Sequence, residues 1–473
     1  MISEKHFRRL ERFDEIWARR HGDAQLFTWQ TKYVKMSQWI GVVQIPGLSL
    51  EILPKIDRNA DSRASANHEP PTGDGENEVQ REERRKTAFA RANLLYMLAI
   101  TGDLPLRERD LAALEARQSP LAEALIRIFA SRLLDELKRG VESGYVHREG
   151  NLRTLKGKLH FGKHCTRNAA HQERFYVQYS EFLPDTQMNR IFKAACQTLL
   201  DATHTPKTQE QLRYCLIMLD DVRDVTITLA DFGKVAITRQ NERFWEVFTF
   251  CQMILSNQSP TASSGAEESF SLLFDMNVVF ERFIAAFLQK HVMGLARFAE
   301  WHLLPQGKKD RRHLLEREEP SGKVLFLRPD LLFRKRGGDE CFVIDTKWKN
   351  VLDSRGNYAV SPADFYQLHA YAHRYNSRQT FLLYPSTGTE TCRNHAIIGY
   401  DNQPVGKQIG LRFVDLNRPL RKERDALRDD LCGILQDALP DVSGGPCTAS
   451  KTPGESTTMT SMKPAGPAQS EAQ

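Results

Sequence analysis

Hydrophobic and polar residues alternate in two early segments of the chain. Residues 36–56 carry WIGVVQI and LSLEILPKI on either side of Pro46 and Gly47, a pattern that predicts a β-hairpin. Residues 151–161, NLRTLKGKLHF, alternate again and predict a further strand. The first part of the chain is therefore expected to contain sheet segments.

Apolar residues recur with the helical period of 3.6 between and after these strands. This spacing predicts helices over residues 87–100, 120–141, 185–200, 209–219, 243–255 and 276–289. The prediction for the whole chain is an α+β multidomain protein, with an N-terminal β-hairpin followed by a helical region.

The last third of the chain has a different pattern. Residues 323–334 and 341–348 are typical of strands, and Gly337-Gly338 between them is typical of a turn. Ser361-Pro362 and an acid in the first turn predict the start of a helix that runs to about residue 375, before a strand at 380–384. The predicted order in this part is helix, strands, helix, strand, or αβββαβ.

Three segments have too few large apolar residues to form a core. Residues 57–86 contain Val79 as their only large aliphatic residue, residues 256–269 are polar, and residues 441–473 contain no Leu, Ile or Phe. The predicted division is an N-terminal region 1–150 with a flexible insertion 57–86, a mixed strand and helical region 151–255, a C-terminal domain 270–435 and a disordered tail 441–473.

The composition favours a globular protein over a membrane-embedded one. Of the 473 residues, 27% are charged and 41% hydrophobic, and no apolar run reaches the ~20 residues that a membrane-spanning helix needs. The N-terminus lacks the apolar stretch of a secretory signal, so a cytoplasmic protein without a membrane partner is expected. Eight single cysteines without a CxxC pair predict reduced thiols, and a net charge of +6 permits nucleic-acid binding without proving it.

Three charged residues of the C-terminal strands are the strongest candidates for catalysis. Asp345 and Lys347 in VIDTKWK lie two residues apart and project from the same face of a strand. A hairpin closed at Gly337-Gly338 would bring Asp330 of RPDLLF back towards Asp345. Two carboxylates suit Mg²⁺, which lowers the pKa of a bound water, and the lysine can balance the developing charge. This combination predicts phosphodiester hydrolysis.

Two neighbouring helices contribute further polar residues. Glu281 lies in NVVFERF and faces the core side of the helix 276–289. Gln367, Tyr371 and Arg374 share one face of the following helix, from which they could reach the site or a phosphate.

These residues resemble the PD-(D/E)XK nuclease signature. The matching residues are PD at 329–330 and DTK at 345–347, and the predicted αβββαβ order is similar to the core of that fold. In that family an acid on the first helix and a Gln on the second helix often complete the site. The resemblance implies Mg²⁺ at Asp330 and Asp345, and a catalytic set consisting of Asp330, Asp345, Lys347, Glu281 and Gln367.

A larger set of motifs resembles the McrC family, the nuclease subunit of the McrBC 5-methylcytosine-dependent restriction system. FERFIAAF, LRPDLLF, VIDTKWK and DFYQLHAYA occur in that order, after GVVQIPGLSLEILPKI, NLRTLKGKLHF and LPDTQMNRIF. The resemblance covers roughly residues 40–384. It implies a DNA endonuclease subunit whose N-terminal region docks on a McrB-like AAA+ GTPase and stimulates it. It also implies double-stranded DNA with a modified cytosine as the substrate, read by the partner, and dimerisation of nuclease domains in the complex.

Two other functions are compatible with the sequence. One is a stand-alone PD-(D/E)XK nuclease with its own DNA-recognition region, and the other is a non-catalytic adaptor of an AAA+ motor. The segment GKLHFGKH at residues 157–164 fits the spacing G-x₄-G-K of a phosphate loop but ends in His164, where Ser or Thr should bind Mg²⁺. Because the segment alternates, it is predicted to be a basic strand, and the chain is expected to have no NTPase activity.

Basic residues lie in two places. A cluster beside the nuclease motifs is the better candidate for contacts with the DNA backbone; it comprises Lys308, Lys309, Arg311 and Arg312. A second set could face DNA or the partner, or form a solvated strand face; it comprises Arg153, Lys156, Lys158, Lys163 and Arg167.

Overall fold

A computed structural model describes most of the chain. The described residues are 3–20, 25–30, 34–54, 78–116, 120–256, 270–308, 310–318, 321–352, 357–386 and 388–439. Residues 57–77 of the predicted insertion, residues 257–269 of the predicted linker and the predicted tail 441–473 lie outside these ranges, as does Lys309.

The described part of the chain forms twelve α-helices. They are α1 (Glu4–Arg20), α2 (Glu78–Thr101), α3 (Glu108–Ala116), α4 (Leu121–Lys138), α5 (Phe161–Arg167), α6 (Gln187–Ala202), α7 (Pro206–Met218), α8 (Leu229–Phe232), α9 (Trp245–Ser256), α10 (Met276–His291), α11 (Pro362–Arg374) and α12 (Arg424–Gln436). Short 3₁₀ turns cover Glu242–Phe244 and Ala296–Phe298.

The strands form several separate sheets. They are β1 (Phe27–Trp29), β2 (Val34–Met36), β3 (Trp39–Ile45), β4 (Leu48–Ile52), β5 (Gly144–Leu152), β6 (Lys158–Leu159), β7 (Phe175–Leu183), β8 (Phe270–Asp275), β9 (Trp301–Pro305), β10 (His313–Arg317), β11 (Gly322–Phe326), β12 (Leu331–Lys335), β13 (Cys341–Thr346), β14 (Gln379–Pro385), β15 (Arg393–Ile398) and β16 (Pro404–Val414). The predicted mixture of helices and sheets is confirmed.

The predicted N-terminal hairpin is present as β3 and β4. The two strands pair antiparallel from Gly41 opposite Ile52 to Ile45 opposite Leu48. β8, which follows the predicted linker, pairs with the other edge of β3. The residues that begin the predicted C-terminal domain therefore complete an N-terminal sheet of order β4-β3-β8.

Residues 78–86 are helical, which corrects part of the predicted flexible insertion. α2 begins at Glu78 instead of near residue 87. The sequence EVQREERRK consists largely of good helix formers, and Lys86 Nζ lies 3.3 Å from Glu82 Oε1 one turn earlier. Charge alone was therefore a poor indicator of disorder in this segment.

Two predicted strands are interrupted. The predicted strand 151–161 ends at Leu152, resumes as the two-residue β6, and gives way to α5 at Phe161. Gly157 turns the chain with φ +74°, and a Cβ there would lie 2.3 Å from the Gln178 carbonyl oxygen. The predicted strand 323–334 is divided into β11 and β12, with Pro329, which has no N–H for a sheet ladder, between them.

A six-stranded sheet in the order β15-β16-β14-β13-β12-β9 forms the centre of the C-terminal part. β13, β14 and β16 run parallel, whereas β9, β12 and β15 run antiparallel to their neighbours. α10 and α12 pack on one face, and α11 connects β13 to β14 across the other. Along the chain these elements occur in the order α10, β9, β10, β11, β12, β13, α11 and β14, so two additional strands interrupt the predicted order of helix, three strands, helix and strand.

The largest cluster of buried side chains is shared between the N-terminal and C-terminal parts. It runs from Ile40 in β3, through α2, α4, α6 and α9, to Phe333 and Ile344 in the six-stranded sheet. α10 lies at the junction, where the ring of Phe283 meets Tyr96 of α2 and the ring of Phe280 meets Trp348. In the described part of the chain, no helix is long and apolar enough to cross a membrane.

Candidate active site

The hairpin of β12 and β13 brings two carboxylates together. Leu331 pairs with Ile344, and the same register continued by one residue places Asp330 opposite Asp345. Gly337 closes the turn with φ +70°, and the Lys335 amide donates to the Glu340 carbonyl across it. The predicted convergence of the two acids is therefore present.

Asp330 is held by the residue that lies between Asp345 and Lys347. The Thr346 amide and hydroxyl both donate to Asp330 Oδ2, at 2.7 and 2.8 Å. Burial raises the pKa of Asp330, although the Thr346 hydrogen bonds act in the opposite direction. These two bonds leave the other carboxylate oxygen, Oδ1, available to a ligand.

Asp345 is the most deeply buried acid of the site. Its side chain is 0% exposed, because β13 lies between β12 and β14 in the interior of the sheet. Burial, and then the nearby charge of Asp330, raise the pKa of Asp345 to about 7. The Oδ2 atom of Asp345 is ion-paired with a neighbouring lysine.

Lys347 lies beside this oxygen. Its Nζ is 2.5 Å from Asp345 Oδ2 and 3.3 Å from Gln367 Oε1. Its amide donates to the Leu383 carbonyl, which continues the pairing of β13 with β14 by one residue. Burial would lower the pKa of Lys347, but the Asp345 carboxylate outweighs burial and the pKa is raised. The lysine is therefore a fixed cation at neutral pH.

Gln367 of α11 bridges the acid and the lysine. Its Nε2 donates to Asp345 Oδ1 at 3.3 Å and to the Tyr371 hydroxyl at 2.8 Å. The Tyr371 hydroxyl donates in turn to the Arg328 carbonyl at 3.0 Å. Because a carbonyl can only accept, the hydroxyl proton is committed and the Gln367 amide must present its NH₂ to Tyr371. Its oxygen is thereby directed at Lys347.

Arg374, predicted on the same face as Gln367, does not reach the carboxylates. Its Nε donates to the His313 carbonyl at 2.9 Å. Gln367 and Tyr371 of that helix face therefore belong to the site, whereas Arg374 binds the neighbouring strand β10.

Glu281 approaches the site from α10 through an intermediate residue. Gln306 Nε2 donates to Glu281 Oε1 at 3.2 Å, and the Gln306 amide donates to the Asp330 carbonyl at 2.7 Å. Burial, and then the charge of Asp330, raise the pKa of Glu281. Glu281 is thus close enough to be affected by the charge of Asp330, but its hydrogen bond is to Gln306.

Gln306 and Lys349 were not identified from the sequence. Gln306 has φ +55°, a left-handed conformation that nothing in HLLPQGKK requires, so only the folded backbone reveals its position. Lys349 Nζ lies 2.5 Å from Asp364 Oδ2 at the start of α11. A second lysine in DTKWK was a visible signal, but its partner lies 15 residues further along the chain.

The two carboxylates suit a magnesium ion better than a metal ion whose ligands all come from protein side chains. Among the described residues, no group of three or more His, Cys, Asp or Glu is placed to hold a metal. Mg²⁺ takes one or two protein carboxylates and fills its remaining positions with water and phosphate oxygens. Asp330 and Asp345 supply two such carboxylates, opposite each other at the ends of two paired strands.

The segment with phosphate-loop spacing is organised differently from a phosphate loop, and it is not the predicted strand either. Gly162 and Lys163 lie inside the short helix α5, and Lys163 Nζ lies 2.5 Å from Glu149 Oε2. Lys156 similarly pairs with Glu181 at 2.8 Å. Two of the five residues in the second basic set are therefore neutralised by neighbouring acids.

Comparison with known proteins identifies the family. The family model described as "McrBC 5-methylcytosine restriction system component" matches residues 34–385. Among solved structures, a chain in the refined half-complex from the tetradecameric assembly of Thermococcus gammatolerans McrB AAA+ hexamers with bound McrC has a TM-score of 0.59 and 21% identity, over 86% of each chain. A chain in the cryo-EM structure of the Thermococcus gammatolerans McrBC complex is 22% identical with a TM-score of 0.46, over 60% of this chain and 80% of that one.

No curated protein matches the chain. The family match covers most of the chain and includes both carboxylates, and the first of these structures has a similar fold. The resemblance to McrC drawn from the sequence motifs is thereby confirmed. The chain belongs to the McrBC family, the components of the 5-methylcytosine restriction system.

Proposed function

We propose that this chain is the Mg²⁺-dependent DNA endonuclease subunit of a GTP-driven, modification-dependent restriction complex. The observation that supports the proposal best is the convergence of Asp330, Asp345 and Lys347 at one end of the six-stranded sheet. A purely structural ion pair would not require a second acid beside a carboxylate whose pKa is already raised by burial. The arrangement corresponds to the PD-(D/E)XK signature.

Each side chain has a separate role in this proposal. Asp330 and Asp345 would hold Mg²⁺, with Asp330 kept in place by Thr346. The ion, when bound, activates a water and neutralises charge on the phosphate. Lys347, oriented by Asp345 and Gln367, balances the negative charge that develops on the phosphoryl oxygens. Glu281, positioned by Gln306, contributes a further acid near Asp330.

The partner in this proposal is a McrB-like AAA+ GTPase that reads modified cytosine in double-stranded DNA. The support is the family match, together with a structure of similar fold in which McrB hexamers carry bound McrC. The chain would stimulate the GTPase through its N-terminal region and cut DNA through its C-terminal part. Dimerisation of two nuclease domains in the complex and a cytoplasmic location belong to the same proposal.

The proposal is tested by two substitutions in the complex reconstituted with the AAA+ partner. Asp345→Asn removes a charge that holds the metal, and Lys347→Ala removes the cation beside it. Each should lower cleavage of methylated DNA by ~10²-fold or more, because a buried electrostatic group is lost at the reacting centre. GTP turnover should continue at the stimulated rate. The matched control is Asp339→Asn in the exposed hairpin turn, which should leave both activities unchanged.

Each alternative function has its own outcome in this experiment. Cleavage that persists with Asp345→Asn would place the active site elsewhere. Specific cleavage by the isolated chain would favour a stand-alone nuclease, and stimulated GTP turnover without cleavage by the wild-type complex would favour an adaptor.

A further inference from the structure

A two-stranded ribbon projects beside the carboxylates and belongs to no larger sheet. It consists of β10 and β11, which pair antiparallel from His313 opposite Phe326 to Arg317 opposite Gly322. A two-stranded sheet alone is only marginally stable in water, so a ribbon of this kind usually needs a surface to rest on. The ribbon is therefore a candidate contact surface.

The base of the ribbon is firmly attached near the active site. The Leu327 amide donates to the Arg312 carbonyl at 2.8 Å, and the Tyr375 hydroxyl donates to the Asp310 carbonyl at 3.0 Å. Arg374 of α11 adds its bond to His313. Only three residues lie between Phe326 and Asp330, so their Cα atoms are at most ~14 Å apart. The base of the ribbon therefore lies near Asp330.

Apolar side chains of the ribbon are unusually exposed. Leu315, Leu325 and Phe326 are 51%, 63% and 58% exposed. Leu325 also has φ +54°, a conformation that a bulky residue rarely adopts. Exposed leucines and a phenylalanine beside a functional site indicate a surface that is covered when the protein works.

The charges on and beside the ribbon are mostly positive and unpaired. Four exposed cations have no acidic partner within 4 Å among the described residues: Arg311, Arg317, Lys323 and Arg328. Elsewhere many cations are engaged, as Lys156 and Lys163 are with glutamates. Counted over the same stretch, residues 308–328 of the sequence contain seven Lys or Arg and four Asp or Glu, a net charge of +3 that comes mainly from the residues flanking the two strands. This excess of positive charge is complementary to a nucleic-acid backbone.

We propose that the β10–β11 ribbon is a DNA-binding element that lies in a groove of the duplex next to the scissile phosphate. The major groove of B-DNA admits a two-stranded β-ribbon, and apolar side chains can contact thymine methyl groups there. The free cations contact phosphates on either side and set the position of the duplex relative to Asp330 and Asp345. This inference rests on the proposed endonuclease function and adds the surface that holds the substrate.

The test measures binding of a labelled duplex of about 30 base pairs to the full chain by fluorescence anisotropy, in EDTA so that no cleavage occurs. Arg317→Gln with Lys323→Gln should weaken binding ~10-fold at ~0.1 M salt. It should also reduce the slope of log K against log salt by about 2, because two phosphate contacts are lost. The matched control is Lys207→Gln with Arg213→Gln on α7, two exposed cations that have no acidic partner within 4 Å in the described part of the chain. The control should bind like the wild type.

A second variant separates apolar contact from charge. Leu325→Asn with Phe326→Ser should weaken binding while leaving the salt slope unchanged, because no counterion is released by those side chains. Because both side chains are exposed, the variant should keep the fold of the wild type, and Asn tolerates the positive φ at residue 325.

Three results would overturn the inference. They are wild-type binding by the Arg317 and Lys323 variant, absence of duplex binding by the wild-type chain, and a wild-type dimer that the apolar variant dissociates without any change in DNA affinity. The last would make the ribbon a contact between two copies of the chain. The endonuclease proposal is judged separately, by cleavage with Asp345→Asn.

Discussion

At the scale of single residues, the candidate active site combines two acids that destabilise each other. Asp345 is fully buried and lies opposite Asp330, and both burial and that neighbour raise its pKa to about 7. The positive charge of Lys347 offsets part of the unfavourable energy of holding two acids together in a buried place. A divalent ion would offset more, because it attracts both carboxylates at once.

This charge arrangement predicts a pH-dependent stability. In the unfolded chain the pKa of Asp345 returns to about 3.8, so the folded protein binds this proton more tightly than the unfolded chain does. Protonation of Asp345 therefore adds to the free energy of unfolding. This contribution is fully present below pH 4 and is lost as the pH rises to about 7. The loss is at most on the order of 4 kcal/mol. In EDTA, the melting temperature of Asp345→Asn should therefore exceed that of the wild type by more at pH 8 than at pH 5.

Thermal unfolding at these two pH values, with Asp339→Asn as the exposed control, measures the effect. Added Mg²⁺ should raise the melting temperature of the wild type at pH 8 and leave that of Asp345→Asn unchanged, because only the wild type keeps both carboxylates. If the melting temperatures of Asp345→Asn and the wild type differ by the same amount at both pH values, the raised pKa of Asp345 would be contradicted.

At the scale of elements, the pairing of β3 with β8 joins two distant parts of the chain. Gly41 has φ +130°, and a Cβ at this position would lie 1.9 Å from the Leu272 carbonyl oxygen. The close approach of the two backbones therefore depends on the absence of a side chain. Gly162, in contrast, has open space around its Cα and no positive φ.

Gly41→Ala should lower the free energy of unfolding by on the order of 3 kcal/mol, because β8 must shift and the backbone is strained. Gly162→Ala should change it by less than about 1 kcal/mol, and in the stabilising direction, because alanine suits a helix. Urea denaturation of both variants compares the two positions. A Gly41 variant as stable as the Gly162 variant would contradict the β3–β8 contact.

At the scale of the whole molecule, the N-terminal helices and the C-terminal part of the chain are connected by buried polar contacts as well as by the shared core. Asn93 of α2 is 2% exposed and donates to the carbonyls of Leu416 and Arg418, at 3.1 and 2.8 Å. Its side-chain oxygen accepts from the Leu420 amide at 3.1 Å. Arg282 of α10 pairs with Asp103 beyond the end of α2. The two parts are therefore expected to unfold as one unit.

Asn93→Ala should lower the free energy of unfolding in this single transition by on the order of 3 kcal/mol, because three backbone groups in the interior lose their partner. The transition is followed by tryptophan fluorescence, which samples Trp17 near the hairpin and Trp348 near the site. Asn350→Ala, which removes one exposed local bond to Leu352, is the control. Two separate transitions in the wild type would show that the two parts fold independently.

Local sequence patterns predicted the elements whose signals lie within a few neighbouring residues. The hairpin of β3 and β4, the helices α10 and α11, and the convergence of Asp330 with Asp345 all follow from alternation, turn residues and capping residues. α1 was missed although its buried Leu10, Phe13 and Trp17 have helical spacing, because its many charges obscured the pattern. The motif-based family resemblance, over roughly residues 40–384, agrees with the family match over residues 34–385.

The tertiary structure alone decided which distant residues meet. No local pattern indicates that β8 joins β3, that Gln306 links Glu281 to Asp330, or that Asn93 holds the loop before α12. These contacts join residues 25 to more than 300 positions apart, and their partners depend on how sheets and helices pack. The sequence by itself determined which side chains could perform the chemistry, since residue type fixes charge and hydrogen bonding. Packing decided their distances, their burial and therefore their pKa values, since these depend on neighbours that the chain brings in from elsewhere.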